Sequence, residues 1–315
     1  MSFASTLFSS SIVKETRYDR FLNQMNEIIP RNELIKVIES NYIKSNNNSW
    51  RPRIDTMILL KMTMLQTWYN LSDPAVEELC YDRISFQKFL DIDLNTTTVP
   101  DETTIVNFRK FMNENNIQKQ IFDKINQIIS SKKITIKEWT IVDATILPAS
   151  WSTKNKEKQR DPEMWYTYKG KKPYFWAKAH IWVDDKTWLV HTIVMTPANE
   201  SDISQFENCM HWWEKRKLWD RWYRSKKNKK ENEDKWIIYS VTKRWNLWYK
   251  DIFMNIFITG IRKKVEHVFG IIKNLRWHRT IKYKWISKNE NHRTFMCWLA
   301  NIYKLKNEQF WFLNI

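Results

Sequence analysis

A chain of 315 residues with only 3 glycines has almost nothing to place where its backbone must turn left-handed. Glycine enters that region without strain, and tight hairpins commonly need it. The shortage is matched by an excess, because tryptophan occurs 19 times. Together the two types take roughly the 7% share that glycine alone ordinarily holds. One segment shows the conflict directly. Asp184-Asp185-Lys186-Thr187-Trp188 joins two predicted strands, and a turn of this shape commonly ends in a left-handed residue, where Trp188 falls. The expectation is that most of the tryptophans stand at glycine positions, through a UGA codon read as glycine in the source and translated here as tryptophan. A chain truly rich in tryptophan, stacking its indoles on bases, is the alternative. It leaves the missing glycines unexplained.

Charge narrows the partners. Lys and Arg number 52 against 35 Asp and Glu, a net charge of +17. Such a field attracts polyanions and makes binding to phosphate backbones sensitive to salt. The cations are densest at 154–160, 215–230 and 276–284, and this breadth suits duplex DNA better than a single basic tail would. Cys80, Cys209 and Cys297 are far apart, odd in number and lack metal spacing, so they read as reduced core residues. Met1–Val13 carries no early Lys or Arg, so no signal peptide is expected. The apolar run Met57–Leu65 is short and broken by Lys61, so no membrane span is expected and the chain reads as cytoplasmic.

The first third has helical periodicity. Phe21, Met25, Ile28 and Ile29 share a face, as do Leu34, Ile35 and Ile38. A helix is expected from about Asp55 to Tyr69. Asp73-Pro74 reads as a capping acid followed by Pro at the first helical position. Asp101 opens a further helix, and Ile117–Ile129 forms another. The pattern then changes. Ile134, Ile136, Ile141 and Val142 belong to a β-rich stretch ending at Asp143. Two strands, Tyr174–Val183 and Leu189–Met195, form a hairpin. Ser201-Asp202 caps a helix with Ile203, Phe206 and Met210. Ser225–Asp234 is a charged loop, Trp236–Val241 a short strand, and Gly260–Asn274 and Asn291–Lys304 helices.

Three acids stand out in this pattern. Asp143 closes the apolar strand Thr140-Ile141-Val142, where a carboxylate would face a cleft. Asp220 follows a short possible strand. Glu266 lies on the predicted helix 260–274, where Ile261, Val265, Val268, Phe269 and Ile272 make one stripe and Arg262, Glu266 and Lys273 a second beside it. Each has an ordinary reading: a strand-end turn, a surface acid, an ion pair with Arg262 one turn earlier. Physical chemistry adds only that phosphoryl transfer needs clustered carboxylates, which hold two hard cations about 3.5–4 Å apart.

The sequence resembles bacterial insertion-sequence transposases of the DDE superfamily, in the insertion-sequence-five group. The likeness runs from about Arg17 to Lys304. In the N-terminal part it is carried by Trp50-Arg51-Pro52, Leu65–Pro74, Pro100–Ile105 and Phe108-Arg109. In the C-terminal part it is carried by Val142–Thr145, Ser152–Lys156, Arg160–Met164, Lys178–Ile181, Ala198–Asp202 and Lys264–His267. The resemblance implies an α/β (α+β) fold, an RNase H-like mixed five-stranded sheet with flanking helices, preceded by an all-helical module. The expected division is 1–132, a helical DNA-binding or assembly module, and 133–315, the catalytic domain.

The resemblance further makes Asp143, Asp220 and Glu266 the catalytic and metal-holding acids, with two Mg²⁺ or Mn²⁺ ions. Arg262 and Lys273 complete an Arg-x3-Glu-x6-Lys pattern and would contact DNA phosphate. The tyrosine common three residues before that Arg is Thr259 here, and His267 reads as helix packing. The implied reaction is metal-dependent cleavage at element ends and transfer of the freed 3′-hydroxyl into target DNA. The partners are double-stranded DNA, as terminal inverted repeats and as target, and further copies of the chain in a homo-oligomer on DNA, within the bacterial cytoplasm and its nucleoid. An inactive remnant that binds DNA without cutting is the alternative, and retention of all three acids weighs against it. Relatives of this kind carry Gly where this chain has Trp50, Trp139, Trp176, Trp182, Trp188, Trp222 and Trp285, while Trp68 matches a family Trp.

Overall fold

The structure is a computed structural model that describes residues 15–44, 54–131, 139–150, 159–169, 172–201, 204–205, 216–219, 238–241, single positions between 252 and 270, and 280–307. Seven helices come first: α1 Arg17–Ile28, α2 Arg31–Lys44, α3 Thr56–Tyr69, α4 Asp73–Asp82, α5 Ile84–Leu90, α6 Glu102–Glu114 and α7 Ile117–Ser131. Six strands follow: β1 Trp139–Pro148, β2 Trp165–Lys169, β3 Lys172–Asp184, β4 Val190–Pro197, β5 Arg216–Trp219 and β6 Ile238–Val241. Helix α8, Ile286–Asn307, ends the described chain.

Side-chain caps start the helices where short polar residues precede apolar stripes. Thr16 and Asp19 make a reciprocal capping box on α1, Asp55 accepts from the Met57 N–H on α3, and Asp101 from the Thr104 N–H on α6. Asp73 departs from expectation. Ser72 caps α4 by accepting from Ala75 N–H, which leaves the Asp73 carboxylate free to bind elsewhere. Helix α5 was not apparent in the sequence. It is short, buries Phe86, Phe89 and Leu90, and ends at a left-handed Asp91. Lys61 is fully buried on α3 and donates to the Phe89 carbonyl and the Asp91 carboxylate, both at 2.6 Å. Burial pulls this ammonium below its ordinary pKa, and Asp91 opposes that shift.

The strands form one mixed sheet in the order β2-β3-β1-β5-β6, with β4 also on β3. Strand β3 is long enough to hold two neighbours on one edge: Lys172–Trp176 pairs with β2, and Ala177–Val183 with β4. The five strands β4-β3-β1-β5-β6 are therefore extended by a sixth, β2, which sequence reading missed. Three are antiparallel, while β1-β5 and β5-β6 are parallel. Strand β1 also runs further than expected, through Asp143 to Pro148, because Thr145, Ile146 and Leu147 continue its ladder with β3.

One hydrophobic core spans helices and sheet. Leu22, Leu60, Leu65, Phe108 and Ile121 from the helices join Ile141, Ile181 and Val183 from the sheet, together with Phe295, Trp298 and Ile302 of α8. Helix α8 connects them, packing against β4, α7 and α1. The expected 132/133 division falls between the end of α7 and the start of β1. Among the described residues no helix is long and apolar enough to cross a membrane. Cys80 and Cys297 are buried free thiols, and Cys209 lies outside the described residues. So do Ile134, Ile136, Asp202, Ile203, Phe206, Met210 and the expected loop Ser225–Asp234.

Candidate functional site

Strand alternation fixes the side of the sheet that Asp143 faces. In an antiparallel pair, directly opposed residues share a face and successive residues alternate. Asp143 is opposite Ile181, and Ile141 is opposite Val183. Ile141, Ile181 and Val183 all belong to the main core. Asp143 therefore projects from the core-facing side, two residues beyond Ile141. It is half-buried, and its carboxylate accepts from the Ala144 N–H at 3.0 Å. The described ladder of β1 with β5 runs from Trp139↔Arg216 to Ile141↔Leu218. Asp143 thus lies just past the described end of its parallel neighbour.

Glu266 lies among helical residues that reach the same core. Positions 263, 266 and 268–270 are helical, and Val268 and Phe269 are buried in the core that holds Ile141 and Ile181. Glu266 itself is exposed. The expected apolar stripe is thus present at Val268 and Phe269, and the acid stands off it. Asp220 lies outside the described residues, directly after Trp219, the last residue of β5. Arg262, His267 and Lys273 also lie outside them. Asp143 faces a core to which Val268 and Phe269, two and three residues after Glu266, also belong. Among the described residues no group of three or more His, Cys, Asp or Glu forms a metal cluster. The oxygen donors of Asp143 and Glu266 are of the hard type that Mg²⁺ and Mn²⁺ prefer.

A second polar feature, a cavity of about 340 Å³, opens where the helical region meets α8. Its walls include Asp73, Arg109, Asn113, Lys282, Tyr283 and Lys288. Arg109 makes a bidentate pair with Asp73, both bonds 2.8 Å, and its guanidinium lies 5.6 Å from the Tyr283 ring centre. Gln66 also donates to Asp73 at 2.6 Å. The hydrogen bonds from Arg109 hold the Asp73 carboxyl below its usual range, against the opposing effect of burial. Lys282 is lowered from its ordinary value by desolvation, then by the nearby Arg293 and Arg109. The cleft is thus cation-rich, with Asp73 committed to Arg109. Arg109 and Lys282 were visible in the sequence, but nothing there signalled that the fold would bring them together.

Two family models match the chain. One, described as Transposase domain (DUF772), covers residues 11–111, and the other, Transposase DDE domain, covers residues 135–302. Among solved structures, the chain is similar to a piggyBac transposase synaptic complex with hairpin DNA. The match has 10% identity and a TM-score of 0.47, and covers 93% of this chain and 76% of that one. The DDE model alone spans more than half of the chain. The protein belongs to the DDE transposase family, enzymes of DNA transposition.

Proposed function

We propose that Asp143, Asp220 and Glu266 are the catalytic acids and hold two divalent cations, Mg²⁺ or Mn²⁺. The observation that supports this reading is a shared core: Asp143 faces it, Val268 and Phe269 beside Glu266 belong to it, and Asp220 follows the strand paired in parallel with β1. Bound cations would stabilise the attacking and leaving oxygens of an in-line displacement. The chain's own part is to fix the carboxylates. Strand β1, paired with β3 along its length, holds Asp143, and burial of Val268 and Phe269 anchors the helix under Glu266.

The reaction we assign is cleavage at element ends followed by strand transfer into target DNA, by a homo-oligomer assembled on terminal inverted repeats. Arg262 and Lys273 would contact phosphate beside Glu266, and the Arg109–Lys282 cleft supplies a further cationic surface. We also assign residues 1–132 to end binding or assembly, residues 133–315 to catalysis, the chain to the insertion-sequence-five group, and its place of action to the bacterial cytoplasm and nucleoid.

The test is a cleavage assay on DNA carrying the element ends. Asp143→Asn, Asp220→Asn and Glu266→Gln should each abolish cutting, since each removes a metal-holding carboxylate, while DNA binding survives. A variant that cuts at the parental rate removes that residue from the assignment. A parental protein that binds the ends but does not cut them with either cation would favour the inactive remnant.

A further inference from the structure

We propose that Trp188 and Trp285 are glycines in the protein made by its source, and that one codon read as tryptophan in place of glycine accounts for most of the 19 tryptophans. The backbone supplies the first argument. Among the described residues, five that are not glycine have positive φ: Asn70 at 49°, Asp91 at 58°, Asn116 at 51°, Trp188 at 58° and Trp285 at 77°. Asn and Asp tolerate this region through their short polar side chains, whereas a bulky side chain is strained there. Both of the remaining left-handed positions carry tryptophan.

The fold imposes these conformations through backbone bonds. At the β3–β4 turn, Trp188 N–H donates to the Asp184 carbonyl at 2.8 Å, and Asp184 N–H donates to the Leu189 carbonyl at 3.0 Å. The Asp184 carboxylate accepts from the Lys186 and Thr187 N–H groups and the Thr187 hydroxyl, closing the turn from inside. The left-handed residue is what lets the chain re-enter β4. At the start of α8, Trp285 N–H donates to the Asp161 carboxylate at 2.6 Å, and its carbonyl accepts from the Asn289 side chain at 2.8 Å. Neither set of bonds uses the indole. Trp285 is 36% exposed, with the Lys284 ammonium 5.0 Å from its ring centre.

Two other tryptophans behave as real ones. Trp68 is buried edge-on to Phe21 and Phe89, with ring centres 5.1 and 5.6 Å away. Trp298 is fully buried against Phe295 and donates its indole N–H to Gln118. The chain thus holds tryptophans that the core requires and tryptophans where the backbone requires glycine. A UGA codon read as glycine by the source, beside ordinary UGG for tryptophan, produces both sets. It also accounts for a chain with 3 glycines.

The gene's codons test this directly. UGA at 188 and 285 with UGG at 68 and 298 is expected; UGG at 188 or 285, or UGA at 68 or 298, overturns the proposal. Peptide mass spectrometry of the protein from its source should find glycine at 188 and 285, and tryptophan at either overturns it. The backbone argument has its own measurement, Trp285→Gly against Trp285→Ala in the expressed chain. Both remove the ring, and only Gly relieves a left-handed Cβ. The Gly variant should melt ~2 °C higher. An Ala variant that melts as high or higher overturns the left-handed assignment.

Discussion

At the scale of single residues, the Asp73–Arg109 pair shows how one residue's job decides another's. With Ser72 capping α4, Asp73 is free to take Arg109 in a two-pronged ion pair near the cation-rich cleft. The folded-state pKa of Asp73 lies below its unfolded value, so the pair stabilises the protein above about pH 4, and that contribution is lost as pH falls through the folded value. Asp73→Asn should therefore cost about 1–2 kcal/mol near neutral pH, since it leaves a half-buried guanidinium without its carboxylate. The deficit should shrink in acid. Denaturant melts at pH 7 and pH 3 check this, and an equal deficit at both contradicts it. The cysteines give a second case. Burial pushes the thiols of Cys80 and Cys297 up to about 12, so few thiolates exist at neutral pH. Peptide mapping after native alkylation should find both unmodified, with labelling only after unfolding. Prompt labelling of either in the folded protein would contradict that burial.

At the scale of elements, α8 holds the sheet edge. Asn301 on α8 accepts from the Val190 N–H at 2.9 Å and donates to the Val190 carbonyl at 2.7 Å, satisfying both backbone groups at the start of β4. Asn301→Leu would leave both unpaired in a buried setting and should cost about 2–4 kcal/mol. Urea melts that place it within 0.5 kcal/mol of the parent would show the contact to be dispensable.

Much of this level was legible in the sequence, because helical stripes and two-residue alternation are local signals. The α6 cap at Asp101, the α7 stripe and the Asp184–Trp188 hairpin lie where expected. What was not legible is non-local. Strand β2 and the continuation of β1 beyond Asp143 exist through pairing with β3, which no short window of sequence reveals. The side of the sheet that Asp143 faces came likewise from register. Asp220 and Glu266 were singled out by resemblance and context more than by any local chemistry.

At the scale of the whole molecule, a net charge of +17 rests on a fold whose helical region and sheet share one core. Binding to duplex DNA should weaken linearly with log salt as phosphate counterions are released. Lys282→Gln, which removes a cation lining the cleft, should lower the magnitude of that slope by roughly 0.9 if Lys282 meets one phosphate. An unchanged slope would place Lys282 off the DNA path. If Asp143 holds a metal ion in DNA cleavage, changing its ligand chemistry must change the metal requirement. Thiolate is a soft donor that Mg²⁺ accepts poorly and Mn²⁺ accepts better. Purified Asp143→Cys protein, assayed on DNA carrying the element ends, should therefore fail to cut in Mg²⁺ and regain cutting in Mn²⁺. Cleavage by this variant in Mg²⁺ at the parental rate would remove Asp143 from the metal site.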